Sequence, residues 1–314
     1  MKNIDISKLM SVSGIDHLGS IMVNPDMSGL EENPKDDWLY LGLKSFKELS
    51  DKYSQYSSAA IIGSANGIDA IALIKLFPNL KKLFVTDILP DILPLVKENI
   101  EKNIPELHTQ IEYVSGRDCY PVSEKVDFIY GNLPLVMVEA SEIGAERSTT
   151  TLTAREYYIS LKNGDDDILD KYSLLSQLGF IISAKEKLKE GGSLVTLIGG
   201  RIPTEAIEEL FSRAGVKYRR LFTSFMKQSD PEFLQQYAKI EKGNGVTFAF
   251  YDYGRATDLL SNTWNVEAPD IVDKSEEEIR SLLSNTKISA EQAYELYKNG
   301  EDVGHLAYAF HVTV

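Results

Sequence analysis

Cysteine is nearly absent from this chain: Cys119 is the only one in 314 residues, which excludes an intrachain disulfide and a thiolate metal cluster. Histidine is scarce too. His17, His108, His305 and His311 show no i, i+4 pairing or other metal-ligand spacing, so each is expected to be structural and no metal site is expected. No apolar run approaches the length of a bilayer span, and the opening Met1-Lys2-Asn3-Ile4-Asp5 lacks an apolar signal core; a soluble, cytoplasmic protein is the expectation. Basic charge is in short supply, with 33 Lys and Arg against 47 Asp and Glu and a net charge of −14. Such a surface repels a phosphate backbone, and Lys81-Lys82 and Arg219-Arg220 are isolated pairs, so nucleic acid is disfavoured as a partner.

What the chain does have is a series of short apolar segments, each running into glycine or acidic residues. Ala60-Ile61-Ile62 passes through Gly63-Ser64-Ala65-Asn66-Gly67 into an apolar helix expected over 68–77. A strand, a Gly-rich turn and a helix in that order suit a nucleotide-like ligand, because glycine lets the backbone turn sharply and the N–H groups opening the helix point at the ligand. The same residues also suit a tight turn with no ligand. A second strand, Leu83-Phe84-Val85-Thr86, ends in Asp87, about 20 residues after Gly67, where a nucleotide-binding βαβ unit places a carboxylate for ribose hydroxyls. Asp87 as a helix cap before Pro90 is the alternative. A third strand, 111–114, runs into Ser115-Gly116-Arg117-Asp118-Cys119, and a fourth, 126–130, into Gly131-Asn132-Leu133-Pro134-Leu135. Four strand ends therefore carry polar or glycine residues to one crevice, where open α/β sheets bind ligands.

The order of glycine turn, acidic second-strand end, Gly-x-Asp third-strand end and Asn-x-Pro fourth-strand end resembles the class I S-adenosylmethionine-dependent methyltransferases. Asn132-Leu133-Pro134-Leu135 resembles the Asn-Pro-Pro-aromatic element of their amino-methyltransferase branch, which includes the release-factor glutamine methyltransferases and the "methyltransferase small domain" group. The similarity covers roughly residues 58–253. It implies an α/β, Rossmann-like fold with a mostly parallel seven-stranded sheet, helices on both faces, an N-terminal helical segment and a C-terminal extension. By carry-over, Gly63, Ser64, Ala65, Asn66 and Gly67 hold the methionine end of S-adenosylmethionine, Asp87 with Ile88 the ribose, and Asp118 with Cys119 the adenine. Asn132 and the backbone near Leu133 and Pro134 pin a target NH₂, with Leu133 and Leu135 against the substrate. Leu133 stands where the family has its first proline and Leu135 where it has an aromatic, so a planar base is the acceptor most in doubt.

Around this core the pattern is plainer. Residues 1–35 lack periodicity and read as loop or a short lid, whereas Trp38, Leu41, Phe46, Leu49 and Tyr53 recur at helical spacing. Residues 136–167 form a long excursion suited to a substrate lid, and Asp165-Asp166-Asp167 reads as favourable charge opening a helix that runs to Leu188. Strands over 216–225 and 246–253 are expected to form the antiparallel pair closing the sheet, with 306–314 competing for an edge. Ser275 and Ser289 each begin a capping box, giving two short acidic helices. The expected organisation is a lid and helical segment (1–57), a methyltransferase domain (58–255) and a C-terminal extension (256–314). The function expected is methyl transfer to nitrogen of a small molecule or protein side chain, with a homodimer among the assemblies. A catalytically inactive module and a nicotinamide-dependent oxidoreductase are the other readings.

Overall fold

Apolar β-rich segments alternate with helices from residue 58 to residue 199, so the chain must build a parallel sheet by crossover connections. The computed structural model describes residues 1–24, 30–143, 152–228 and 231–314; residues 144–151 of the expected lid lie outside them. In chain order, β1 (Lys2–Asp5) and β2 (Ser20–Val23) pair antiparallel, and then come β3 (Ser58–Ile62), β4 (Lys82–Asp87), β5 (Gln110–Ser115) and β6 (Val126–Gly131). The short β7 (Val136–Val138) and β8 (Leu152–Ala154) pair parallel to each other. The remaining strands are β9 (Leu188–Gly199), β10 (Lys217–Lys227), β11 (Phe250–Asp252), β12 (Lys287–Ile288) and β13 (Val303–Thr313).

The principal sheet runs β5-β4-β3-β6-β9-β13-β10, parallel as far as β9 and antiparallel at β13. These seven strands realise the Rossmann-like α/β arrangement. The short β11 and β12, attached at the start of β13, bring the sheet to nine strands.

The expected closing pair is corrected. Residues 217–227 pair not with the 246–253 region but with β13, which inserts between β9 and β10. The reason is burial: β13 is eleven residues long and buried along all but its last residue, so it needs sheet on both sides, whereas β11 is three residues long. The terminal strand is thus part of the central sheet and not an appendage. Helix Tyr253–Trp264, absent from the sequence reading, starts where a strand was expected, while Glu276–Leu283 and Ala290–Lys298 each carry the expected capping box.

Side-chain alternation distributes the strands between two cores. Ala59, Ile61, Leu83, Val85, Phe128 and Tyr130 face helices Trp38–Ser50, Ile68–Leu76 and Leu93–Asn103. Ala60, Ile62, Phe84, Ile129 and Ile198 face Leu175–Lys187 and Thr204–Ala214. The helix expected to run unbroken to Leu188 divides into Ile168–Lys171 and Leu175–Lys187 at Ser173, whose φ is +64° and whose hydroxyl accepts from the Met137 N–H at 2.9 Å. The N-terminal hairpin docks on helix Leu93–Asn103, where Asn99 exchanges two hydrogen bonds with the Met22 backbone. Among the described residues, no helix is long and apolar enough to cross a membrane.

Candidate active site

The carboxyl ends of β3, β4, β5 and β6 open onto one cavity of about 340 Å³. The turn after β3 is tied to the neighbouring strand, since the N–H groups of Gly63 and Ser64 both donate to the Thr86 carbonyl, at 3.0 and 2.9 Å. Gly63 has φ +73°, and a Cβ there would lie 3.0 Å from Leu133 Cδ2, so glycine permits both the left-handed backbone and the close approach of the loop after β6. Ala65, also left-handed with φ +45°, donates its N–H to Asp87 Oδ2 at 3.1 Å. Asp87 Oδ1 accepts from the Leu89 N–H at 3.0 Å. Burial pushes the Asp87 carboxyl up, against these backbone donors. Asp87 thus ties together the turns on either side of it, and its side chain lines the cavity.

Asp118 closes the far wall. Its φ is +52°, and its Oδ1 accepts the Tyr158 hydroxyl at 3.0 Å. Oδ2 is buried without a hydrogen-bond donor, although Arg117 Nε stands 3.3 Å away as an ion-pair partner. Burial pushes the carboxyl up to about 6, with the Tyr158 hydrogen bond and the Arg117 charge opposing. The Arg117 guanidinium in turn lies over the rings of Tyr157 and Tyr158, at 4.7 and 5.1 Å from their centres.

Of the residues singled out from the sequence, Gly63, Ala65, Asp87, Ile88, Asp118, Asn132, Leu133 and Pro134 line this cavity. Five do not. Ser64 is buried beneath the turn. Asn66 lies just before the next helix, its Oδ1 accepting from the Ile68 N–H. Gly67 packs on Val96 in a left-handed conformation. Cys119 faces the core, with its N–H donated to Ser183 Oγ and its thiol pushed up by burial. Leu135 lies against the end of β9, with Cδ1 3.5 Å from the position of a Cβ on Gly199. None of residues 1–24 lines the cavity, whereas Ile143, Leu152, Thr153, Ala154, Tyr157 and Tyr158, all in the 136–167 excursion, form one wall.

The sequence reading missed Tyr158, Arg117 and Gln177. Buried Gln177 sets its amide nitrogen 3.5 Å from the carbonyl oxygens of both Leu133 and Pro134, bracing the loop that presents Asn132. Its only signal was a polar residue in an apolar helix, and Tyr158 had none, since its contact with Asp118 spans 40 residues.

The cavity suits an adenosyl group. Ile62, Leu89 and Ile92 supply apolar surface for a flat base, the orphaned Asp118 Oδ2 is an acceptor for an exocyclic amine, and Asp87 faces the same space as a hydroxyl acceptor.

No protein-family model matches the sequence, and no curated protein matches it. Among solved structures, the chain is similar to a methyltransferase from Pyrococcus furiosus, at 15% identity and TM-score 0.41, covering 64% of this chain and 81% of that one. It is also similar to the N-methyltransferase NodS from Bradyrhizobium japonicum in complex with S-adenosyl-L-homocysteine, at 16% identity and TM-score 0.38, covering 66% and 87%. A third is precorrin 8w decarboxylase of Methanobacterium thermoautotrophicum, at 10% identity and TM-score 0.40, covering 92% and 95%.

Proposed function

We propose that this protein is an S-adenosylmethionine-dependent methyltransferase acting on nitrogen of a small molecule or a protein side chain. One observation carries the proposal: the glycine turn, Asp87, Asp118 and Asn132, spread over 70 residues of sequence, converge on a single cavity at the carboxyl edge of the parallel sheet. The bound cofactor supplies an electrophilic methyl on a sulfonium. The protein's task is then alignment and exclusion of water.

Asp87 accepts from the ribose hydroxyls while its backbone partners, Ala65 and Leu89, hold it in place. Asp118 accepts from the adenine amino group through Oδ2, with Oδ1 fixed by Tyr158. Asn132 accepts from the target NH₂, turning the nitrogen lone pair towards the methyl. Gln177 positions the loop on which Asn132 stands.

Two measurements test this. Titration with S-adenosyl-L-homocysteine should show one site with micromolar affinity. Incubation with methyl-labelled cofactor and a fractionated cell extract should put label into metabolites or polypeptides. Binding without label transfer to either would favour a module that has lost catalysis. Absence of binding would end the cofactor assignment.

A further inference from the structure

Arg201 follows β9 at the same edge of the sheet and is only 4% exposed. Its Nη2 donates to Gln228 Oε1 at 2.5 Å, and its guanidinium lies 5.3 to 5.8 Å from the ring centres of Tyr237, Phe250 and Trp38. Nε has no hydrogen-bond partner. Among the described residues, no carboxylate forms an ion pair with it. The Tyr237 hydroxyl also accepts a hydrogen bond from the guanidinium, but a buried guanidinium normally requires an anionic partner, because desolvation costs several kcal/mol and neutral and aromatic partners return only part of that.

Two neighbours place this charge. Nη1 and Leu135 Cδ1 lie 2.5 and 3.5 Å from the same point, the position of a Cβ on Gly199, so Arg201 adjoins the loop that carries Asn132. On its other side, Gln228 lines a second cavity of about 770 Å³. Glu31, Glu32, Asp36, Glu301 and Asp302 outnumber Lys8 and Lys227 in the lining of that cavity, and Lys227 is already paired with Asp302 at 2.6 Å. Such a lining repels a simple anion and attracts a cation.

We propose that the second cavity binds a zwitterion of the amino-acid type, its carboxylate taken by Arg201 and its ammonium end by the acidic lining. The Gln228 carboxamide oxygen occupies the place of one carboxylate oxygen, and the carboxylate replaces it on entry. The orphaned Nε–H beside Nη2 then completes a two-point contact. This binding site is independent of the methyl-transfer reading.

The test uses the full chain without cofactor and a series of ω-amino acids from glycine to 6-aminohexanoate, with pentanoate and pentylamine as single-charge controls. Calorimetric titration should show at least one ω-amino acid binding ten or more times tighter than either control. Arg201→Met, of similar length and apolar, should reduce that affinity to the level of pentylamine while S-adenosyl-L-homocysteine binds unchanged. Pentylamine binding as tightly as the best zwitterion, no binding by any of the series, or full affinity in Arg201→Met would each overturn the proposal. Should Arg201→Met fail to fold, the wild-type series decides alone. Zwitterion binding with no homocysteine-cofactor binding would refute methyl transfer and leave the zwitterion site standing.

Discussion

The Tyr158 hydroxyl donates to Asp118 Oδ1 at 3.0 Å, joining the end of the 136–167 excursion to the turn after β5. Burial raises the Asp118 carboxyl to about 6, and this hydrogen bond holds it from rising further. Because the folded value exceeds the ordinary one of 3.8, the group contributes stability that is complete below the ordinary value and lost as pH rises through about 6. Ligand binding runs the other way, since an amino donor needs the ionised carboxylate. Affinity for S-adenosyl-L-homocysteine should therefore be flat above pH 7 and fall by up to about tenfold per unit below pH 6. Tyr158→Phe should move the onset of that fall to higher pH, and Asp118→Asn should remove it. Calorimetry across pH 5 to 8 checks all three, and an unchanged profile in Asp118→Asn would detach Asp118 from the ligand.

Asn132→Ala should lower kcat by about 100-fold or more, the scale expected for a preorganised polar contact at the reacting group. Cofactor-product affinity should stay within about twofold, because Asn132 is assigned to the acceptor. Turnover that survives the change would remove nitrogen as the acceptor atom.

Gly67→Ala should destabilise the fold by about 1–2 kcal/mol through its left-handed backbone alone. More is expected from contact with Val96, since the new Cβ would sit 3.0 Å from Val96 Cγ1. Urea unfolding of the purified variant measures it. A neutral result would mean that the turn relaxes freely.

Deleting residues 303–314 should abolish cooperative unfolding. β13 buries Val303, Leu306, Tyr308, Phe310 and Val312 at 2% exposure or less. At roughly 1.5–3 kcal/mol for each large apolar side chain, their combined loss is comparable to the whole stability of about 5–15 kcal/mol of an ordinary domain. Near-ultraviolet circular dichroism and thermal melting of the truncated chain decide the matter; a sharp melt would show that the strand is dispensable.

Much of this molecule is local, and local features were legible. The β3 turn, Asp87 and Asp118 lie where strand period and glycine spacing put them, because a strand's end and a helix's start are set by neighbouring residues. Cys119, carried over beside Asp118, and Leu135, carried over from the position of the family's aromatic, lie outside the cavity, because the first is buried in the core and the second packs against the end of β9. The roles of Tyr158 and Gln177 were hidden for the complementary reason: each acts on a partner about forty residues away.

By itself the sequence determined the alternation of strands and helices, the glycine and acidic strand ends, and hence a parallel sheet with those ends gathered at one edge, because periodicity and turn chemistry act over a few residues. Only the tertiary structure decided that Val303–Thr313 lies between β9 and β10, that Tyr158 faces Asp118, and that Arg201 is buried without a carboxylate partner among the described residues. Strand pairing and the partnering of buried charge depend on which surfaces meet after collapse, and competing apolar segments of similar pattern leave that choice open until the whole core is packed.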